Sequence, residues 1–423
     1  AAPDGLTKNR RTDEVNEPGL VGQSERTPMR IMKLAIISLS VCFLVLEASA
    51  FQAGKRVITR DTSSNAPFSP AVAAGDFIYL SGTLARGEGI REQTRGVLSN
   101  LGEVLELAGA DYTRVAAVTV YLRNTSDFQG MNEIFREYFP SEPPTRTTVQ
   151  TDLVREDALV EMSMIAIRPG AERTVLQPEG WPTGTAPYSY GIKSGDTVFL
   201  AGILGRDYSS ANSSVGSDIQ AETRAIFENA RQILAAAGMS LNDVVASRVY
   251  ITDTTLFRDM NTSYSAHFPE IPPARATVRA NLMGDQYHLE ITLIAVAGAK
   301  TRITRPNADG TLGRESPVLS HAVRVGNRLY LSGMLGVSDE TRTDTQAQAR
   351  QTLATIGRTL DAAGFGIDDL VDGVIYLTDM SEWGEMNVAY REAITGNFPA
   401  RAAVGTGLMS GDGRVEIMFT AVR

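Results

Sequence analysis

Three arginines stand in one repeated context, "EPPTRTTVQTDL" at 142–153, "IPPARATVRANL" at 271–282 and "NFPARAAVGTGL" at 397–408. Each is followed by a glutamate at a fixed distance: Arg146 to Glu161, Arg275 to Glu290 and Arg401 to Glu416, 15 residues in every case. Such a spacing fits a hairpin in which arginine and glutamate share one face of adjacent strands, about 7 Å or less apart. A guanidinium there can hold a ligand carboxylate with two parallel hydrogen bonds. The glutamate can orient the guanidinium, position a water, or shuttle a proton if burial raises its pKa. A structural Arg–Glu pair is the alternative, although a buried ion pair contributes little that apolar residues could not replace.

Further residues recur in step with this pair. An asparagine precedes each arginine by 14 residues, Asn132, Asn261 and Asn387. It is read either as lining the site or as a helix residue bonded to a neighbouring loop. Gly82, Gly202 and Gly333 close a repeated "YLSG/FLAG" strand. They suit a bulge or a close backbone approach, and could also expose an amide to a ligand. The histidines His267, His288 and His321 fall at different points of the repeat and match no metal motif, so no metal is expected. "GTGLMSGDG" (405–413) lacks a phosphate-loop lysine and is read as a mobile turn between the last two strands. Trp181 and Trp383 are unrepeated and are read as packing residues.

The elements that must position these residues form a threefold internal repeat. "GDFIYLSGTL" (75–84), "GDTVFLAGIL" (195–204) and "GNRLYLSGML" (326–335) are one segment, with their two glycines 7 apart each time. From Gly109 to Asn132, Gly238 to Asn261 and Gly364 to Asn387 is 23 residues in all three copies. Length varies only between the glycine landmarks, Gly82 to Gly109, Gly202 to Gly238 and Gly333 to Gly364, as 27, 36 and 31 residues, which marks a surface loop. Each unit reads β-β-β-α-β-α-β-β, an α+β fold. In the first unit, Leu98, Leu101 and Leu105 make one helical stripe and Phe128, Met131, Phe135 and Tyr138 another. In "LVEMSMIAI", Val160, Met162 and Met164 alternate with Glu161 and Ser163, as in a strand with two distinct faces. The units span 54–170, 173–299 and 302–423, joined by Gly/Pro-rich, charged linkers at 170–184 and 298–317.

Bulk properties narrow the partners. The 423 residues carry a formal net charge of −9, which argues against a phosphate-backbone partner. Residues 1–50 are read as an upstream extension plus a secretory signal over about 32–50. "MKLAIISLSVCFLVLEASA" has one lysine, an apolar core too short to span a bilayer, and an A-x-A cleavage site. The expected product is secreted or periplasmic, with no membrane association after cleavage. The single cysteine, Cys42, lies in that signal. Disulfides, thiolate catalysis and cysteine-bound zinc would then be excluded from the mature chain.

The combination of "YLSG", the "AG" helix end, "VYLRNTSDFQGMN", "PPARATV" and "LEITLIAV" resembles the RidA/YjgF family of imine and enamine deaminases. The resemblance covers nearly all of 54–423. It implies a chorismate-mutase-like unit and an intramolecular pseudo-trimer, expected to be a monomer, with a pocket at each unit interface. It further implies that Arg146, Arg275 and Arg401 clamp a substrate carboxylate while Glu161, Glu290 and Glu416 position water. The family's pocket tyrosine is matched by Phe68, Tyr188 and Leu319, its serine by Ser81 and Ser332 but Ala201. The residue two after arginine is Thr148, Thr277 or Ala403. The third unit is the most eroded. Tyr188 shares a unit with Arg275, which makes that arginine the first to test, although a pocket at an interface can combine parts of neighbouring units. The expected activity is hydrolysis of 2-imino or 2-enamino acids to 2-keto acids and ammonia, without metal or organic cofactor. A carboxylate-binding protein with lapsed catalysis is the alternative, and a ribonuclease the least favoured.

Overall fold

The computed structural model describes residues 54–61, 63–182, 186–210, 214–216 and 218–423. The extension and signal expected within 1–50 lie outside the described residues. From Gly54 to the C-terminus the chain forms one compact unit built of three repeats.

The first repeat runs β1 (Arg56–Ile58), β2 (Ala71–Ala74), β3 (Phe77–Thr83), α1 (Ile90–Leu107), β4 (Val115–Leu122), α2 (Phe128–Tyr138), β5 (Thr145–Gln150), β6 (Asp152–Leu153) and β7 (Val160–Ile167). The second runs β8 (Thr174–Leu176), β9 (Gly191–Ser194), β10 (Thr197–Leu200), β11 (Ile203–Leu204), α3 (Ile219–Ala235), β12 (Val244–Ile251), α4 (Phe257–Ser265), β13 (Ala274–Arg279), β14 (Asn281–Leu282) and β15 (Leu289–Val296). The third runs β16 (Lys300–Ile303), β17 (Ala322–Val325), β18 (Arg328–Leu331), β19 (Met334–Leu335), α5 (Thr345–Ala363), β20 (Leu370–Leu377), α6 (Trp383–Ala393), β21 (Ala400–Gly405), β22 (Gly407–Leu408) and β23 (Val415–Val422). The expected unit is therefore present three times, with one short extra strand after the arginine strand and, in the second and third repeats, the third strand broken in two as β10/β11 and β18/β19.

Local chemistry sets the element ends. Asp218 and Asp344 cap α3 and α5 through bonds from the Gln220 and Ala347 amides. Gly109, Gly238 and Gly364, the "AG" glycines, turn the chain after the long helices at φ of +75, +71 and +77, a left-handed conformation costly for other residues. The leucine stripe of α1 and the aromatic stripe of α2 both enter the first repeat's core beside Val160, Met162 and Met164. The two expected linkers are not free: each contains an edge strand, β8 and β16, paired with the next strand of its own repeat. Repeat three thus begins its first strand at Lys300, inside the segment read as a linker.

Strand order explains what the repeats do to one another. The three sheets run β1-β2-β3-β7-β4-β5-β14, β8-β9-β10-β15-β12-β13-β22 and β16-β17-β18-β23-β20-β21-β6. The last strand of each sheet comes from the next repeat, and the third sheet takes β6 from the first, so the exchange closes cyclically. In the second sheet this clasp pairs Val278 with Leu408 and Arg279 with Gly407. Within the "GTGLMSGDG" segment Gly407–Leu408 is accordingly half of an inter-repeat strand pair, because its backbone groups meet a free sheet edge, and the turn follows it. Helices cover one face of each sheet and the other faces pack together at the centre, where Tyr121, Tyr250 and Tyr376 are fully buried. The result is an intramolecular pseudo-trimer.

Candidate active site

The arginine strand and the glutamate strand of one repeat are not neighbours. β4 lies between β5 and β7, and β4 pairs in parallel with β5. Arg146 is opposite Val118, whereas Glu161 is opposite Tyr121. The hairpin expected from the 15-residue spacing is thus replaced by another geometry, because a parallel β-α-β step inserts a strand between them.

Each arginine instead faces the glutamate of the next repeat. Arg146 interacts with Glu290, Arg275 with Glu416 and Arg401 with Glu161. We call these sites I, II and III. All six side chains are buried, none more than 5% exposed. Burial pushes each glutamate carboxyl up to about 8, against the lowering pull of its arginine. Glu290 and Glu161 also accept from the amides of Thr148 and Ala403, two residues after the arginine. The arginines lose some basicity to burial, and they remain cationic at neutral pH.

A repeated backbone lock fixes this juxtaposition. Ser69, Ser189 and Ser320 each donate their hydroxyl and amide to the two carbonyls just before the arginine strand. Their partners are Phe398 and Pro399, Pro143 and Pro144, and Pro272 and Pro273. Ser81 and Ser332 accept the amides of Arg401 and Arg275 at 2.8 and 2.7 Å, and donate to the carbonyls of Ser69 and Ser320. Their hydroxyl protons are committed, so these two expected substrate contacts hold the arginine strand instead. Ala201 offers no such hydroxyl to Arg146.

The glycines have a steric reason. β3 and its counterparts bulge at Ser81–Gly82, Ala201–Gly202 and Ser332–Gly333, where the register against β7, β15 and β23 slips. A Cβ on Gly82, Gly202 or Gly333 would lie 2.0, 1.8 or 1.8 Å from the glutamate Oε1 of its site. The Gly202 and Gly333 amides donate to the carbonyls of Arg146 and Arg275 at 3.1 Å. They serve close backbone approach and are not offered to a ligand.

The guanidinium of each arginine rests on helix aromatics. Arg146 lies 4.9 Å from the Phe135 ring centre, Arg275 4.6 Å from Tyr264 and Arg401 4.3 Å from Tyr390. These aromatics stand three residues after the repeated asparagine; of the three, only Phe135 stands out in the sequence, as part of a packing stripe. Asn387 accepts from the Arg401 guanidinium, while Oδ1 of Asn132 and of Asn261 is buried without a protein partner. Nη1 of all three arginines is likewise buried and unpartnered, as are the hydroxyls of Thr148 and Thr277. Buried donors of this kind carry a large penalty unless a ligand supplies acceptors.

The sites differ in completeness. Site I opens a cavity of about 320 Å³ lined by Arg146, Thr148, Tyr188, Gly202 and Glu290 among others. Tyr188 faces Arg146 across the interface, 5.8 Å from ring centre to guanidinium. It does not serve Arg275 of its own repeat, so Arg146 replaces Arg275 as the arginine best equipped. Site III has the Phe68 ring at 5.8 Å from Arg401, and site II has Leu319 at the matching position. Trp181, stacked on Tyr208 with its indole bonded to Gln232, is a packing residue. The histidines are dispersed, His288 on Glu222, His267 on Phe227 and His321 accepting from the Arg305 amide.

The family model for endoribonuclease L-PSP matches residues 59–168, 180–297 and 315–423. Reactive Intermediate Deaminase A of Arabidopsis thaliana is 35% identical over 134 residues, covering 29% of this chain and 72% of that protein. The human 2-iminobutanoate/2-iminopropanoate deaminase is 34% identical over 124 residues, covering 27% of this chain and 90% of its own. A chorismatase crystal structure aligns over 73% of this chain and 93% of its own at 15% identity, with a TM-score of 0.51, which speaks to fold alone. The three family matches coincide with the three structural repeats, and the chain belongs to the endoribonuclease L-PSP family, also called RidA/YjgF, as three tandem copies in one polypeptide.

Proposed function

We propose that the chain hydrolyses 2-imino and 2-enamino acids to 2-keto acids and ammonia at sites shared by consecutive repeats, foremost site I. The observation that carries this reading is a buried arginine with an unpartnered Nη1 facing a glutamic acid raised to about 8. The deaminase names of the relatives support it.

In site I the Arg146 fork takes the substrate carboxylate, placing the C=N carbon toward Glu290. The ionised form of Glu290 takes a proton from water as its oxygen bonds to that carbon, and passes this proton to the nitrogen, giving a carbinolamine. Glu290 then takes the carbinolamine hydroxyl proton and delivers it to the same nitrogen as the C–N bond breaks, so that ammonia leaves while the C=O forms. The balance is R–C(=NH)–COO⁻ plus water to R–C(=O)–COO⁻ plus NH₃. A base with a pKa near the working pH suits both transfers. No step draws on a metal or an organic cofactor.

A carboxylate-binding role is favoured for site II by one observation: Leu319 replaces the phenol there. A ribonuclease role is disfavoured by the net charge of −9. We further propose that the cyclic strand exchange makes the chain a monomer, exported after cleavage near Ala50.

The test is release of 2-keto acid from enzymatically generated 2-iminobutanoate. Wild type should accelerate it, and Arg146→Ala should lower kcat/KM by about 10²-fold, the scale for losing a buried charged contact. An inert wild type whose melting temperature rises with 2-oxobutyrate would replace catalysis by binding.

A further inference from the structure

Site I contains a second arginine that the two other sites lack. Arg206 lies four residues after Gly202, at the start of the longest of the three variable loops; the same position is Arg86 in the first repeat and Val337 in the third. Arg86 is exposed, whereas Arg206 lines the site I cavity. Its guanidinium is held 4.2 Å from the ring centre of Tyr208, and its Nη2 donates to the Tyr188 hydroxyl at 3.3 Å. Tyr287 adds a second phenolic contact. Tyr287 is matched by Ala158 and Gly413 in the other repeats, three residues before the glutamate in each.

Tyr188 therefore links two cations: its ring faces Arg146 and its hydroxyl touches Arg206. The charged groups lining this cavity are Arg146, Arg206 and Glu290. The Nε of Arg206 is buried and has no partner. A substrate with a single carboxylate on Arg146 leaves that donor and its charge unanswered, which is costly in a confined cavity.

We propose that site I selects 2-imino dicarboxylates, with the α-carboxylate on Arg146 and the distal carboxylate on Arg206. The phenols of Tyr188 and Tyr287 hold Arg206 in place, and neither site II nor site III has a counterpart of this second cation. This rests on the deaminase reading for the reaction, while the selectivity itself is a property of binding and can be read separately. A site built to pair a polar group rejects ligands that lack it far more strongly than it senses a methylene.

The experiment compares 2-oxoglutarate and oxaloacetate with pyruvate and 2-oxobutyrate by calorimetry on the full chain, wild type, Arg206→Met and Tyr287→Phe. It adds rates on enzymatically generated 2-iminoglutarate and 2-iminopropanoate. Wild type should bind the dicarboxylates about 100-fold more tightly at one site, and Arg206→Met should erase that preference while pyruvate affinity moves less than threefold. Tyr287→Phe, which leaves the charge in place, should reduce the preference in part and covers the case in which Arg206→Met does not fold. Equal wild-type affinities for the two classes, or an equal loss of both in a folded Arg206→Met, would overturn the selectivity. Dicarboxylate preference in a chain that hydrolyses no imine would leave the selectivity standing and remove the deaminase reading.

Discussion

Replacing Gly202 by alanine should disable site I without unfolding the protein, and the structure sets the scale. The added Cβ would stand 1.8 Å from Glu290 Oε1, 2.7 Å from Cδ and 3.1 Å from Cγ. The carboxyl oxygen has to retreat by roughly 1.5 Å to reach ordinary van der Waals separation. Because it is the end of a side chain, the glutamate can swing rather than push the strand, which limits the loss of stability to about 1–2 kcal/mol. The swing takes the carboxyl off the Thr148 amide and away from the C=N carbon, and a displacement of that size costs on the order of 10²-fold in rate. The assay is kcat/KM for keto-acid release together with urea unfolding of Gly202→Ala, Glu290→Ala and the double variant. The alanine should be nearly neutral for stability once Glu290 is truncated. Wild-type rates in Gly202→Ala, or a stability loss that persists in the double variant, would refute the packing of the glutamate over the glycine.

Other consequences follow from the same geometry. Three carboxyls raised from 4.5 to about 8 favour the folded state at low pH, and that stability is lost as pH rises through about 8. Half-buried His267 and His321, whose imidazoles partial burial holds below their ordinary range, act oppositely below about 6.5. Between pH 6.5 and 8 the unfolding free energy from urea titration should therefore fall, by about 1.4 kcal/mol per pH unit for each carboxyl at most, and Glu161, Glu290 and Glu416 all changed to glutamine should flatten the slope. Catalysis with Glu290 as base should give a kcat/KM that climbs toward pH 8 and then levels, a limb missing in Glu290→Gln. Ala201→Ser should supply site I with the hydroxyl that Ser81 and Ser332 give their arginine strands, raising stability by about 1 kcal/mol in urea titration. Light scattering should give the mass of a single chain, and a trimer mass would contradict closure of the strand exchange within one polypeptide.

Much of this was legible in the sequence because repetition exposes register. The positions of Arg146, Glu161, Gly82 and Asn132 recur at fixed spacing, and apolar periodicity gave α1, α2 and β7 their buried faces. Which glutamate meets which arginine was not legible, since sequence distance carries no strand order: β4 separates Arg146 from Glu161, and the partner Glu290 lies in another repeat. The same lack of long-range information left open whether Tyr188 serves Arg275 of its own repeat or, as the structure has it, Arg146 of the neighbour. It also hid the clasp made by Gly407–Leu408 and the edge strands β8 and β16, whose two to four residues are too short for a periodic signal. Arg206 and Tyr287 do not both recur in either of the other repeats, so repetition does not mark them as a pair.

The claim that one repeat's arginine works with the next repeat's glutamate is tested most directly by kinetic double variants of keto-acid release from 2-iminobutanoate. With Arg146→Ala, the further change Glu290→Gln should cost almost nothing, because both disable site I, whereas Glu161→Gln should reduce the residual rate independently through site III. The reverse pattern, with Arg146 coupled to Glu161 and indifferent to Glu290, would contradict the account.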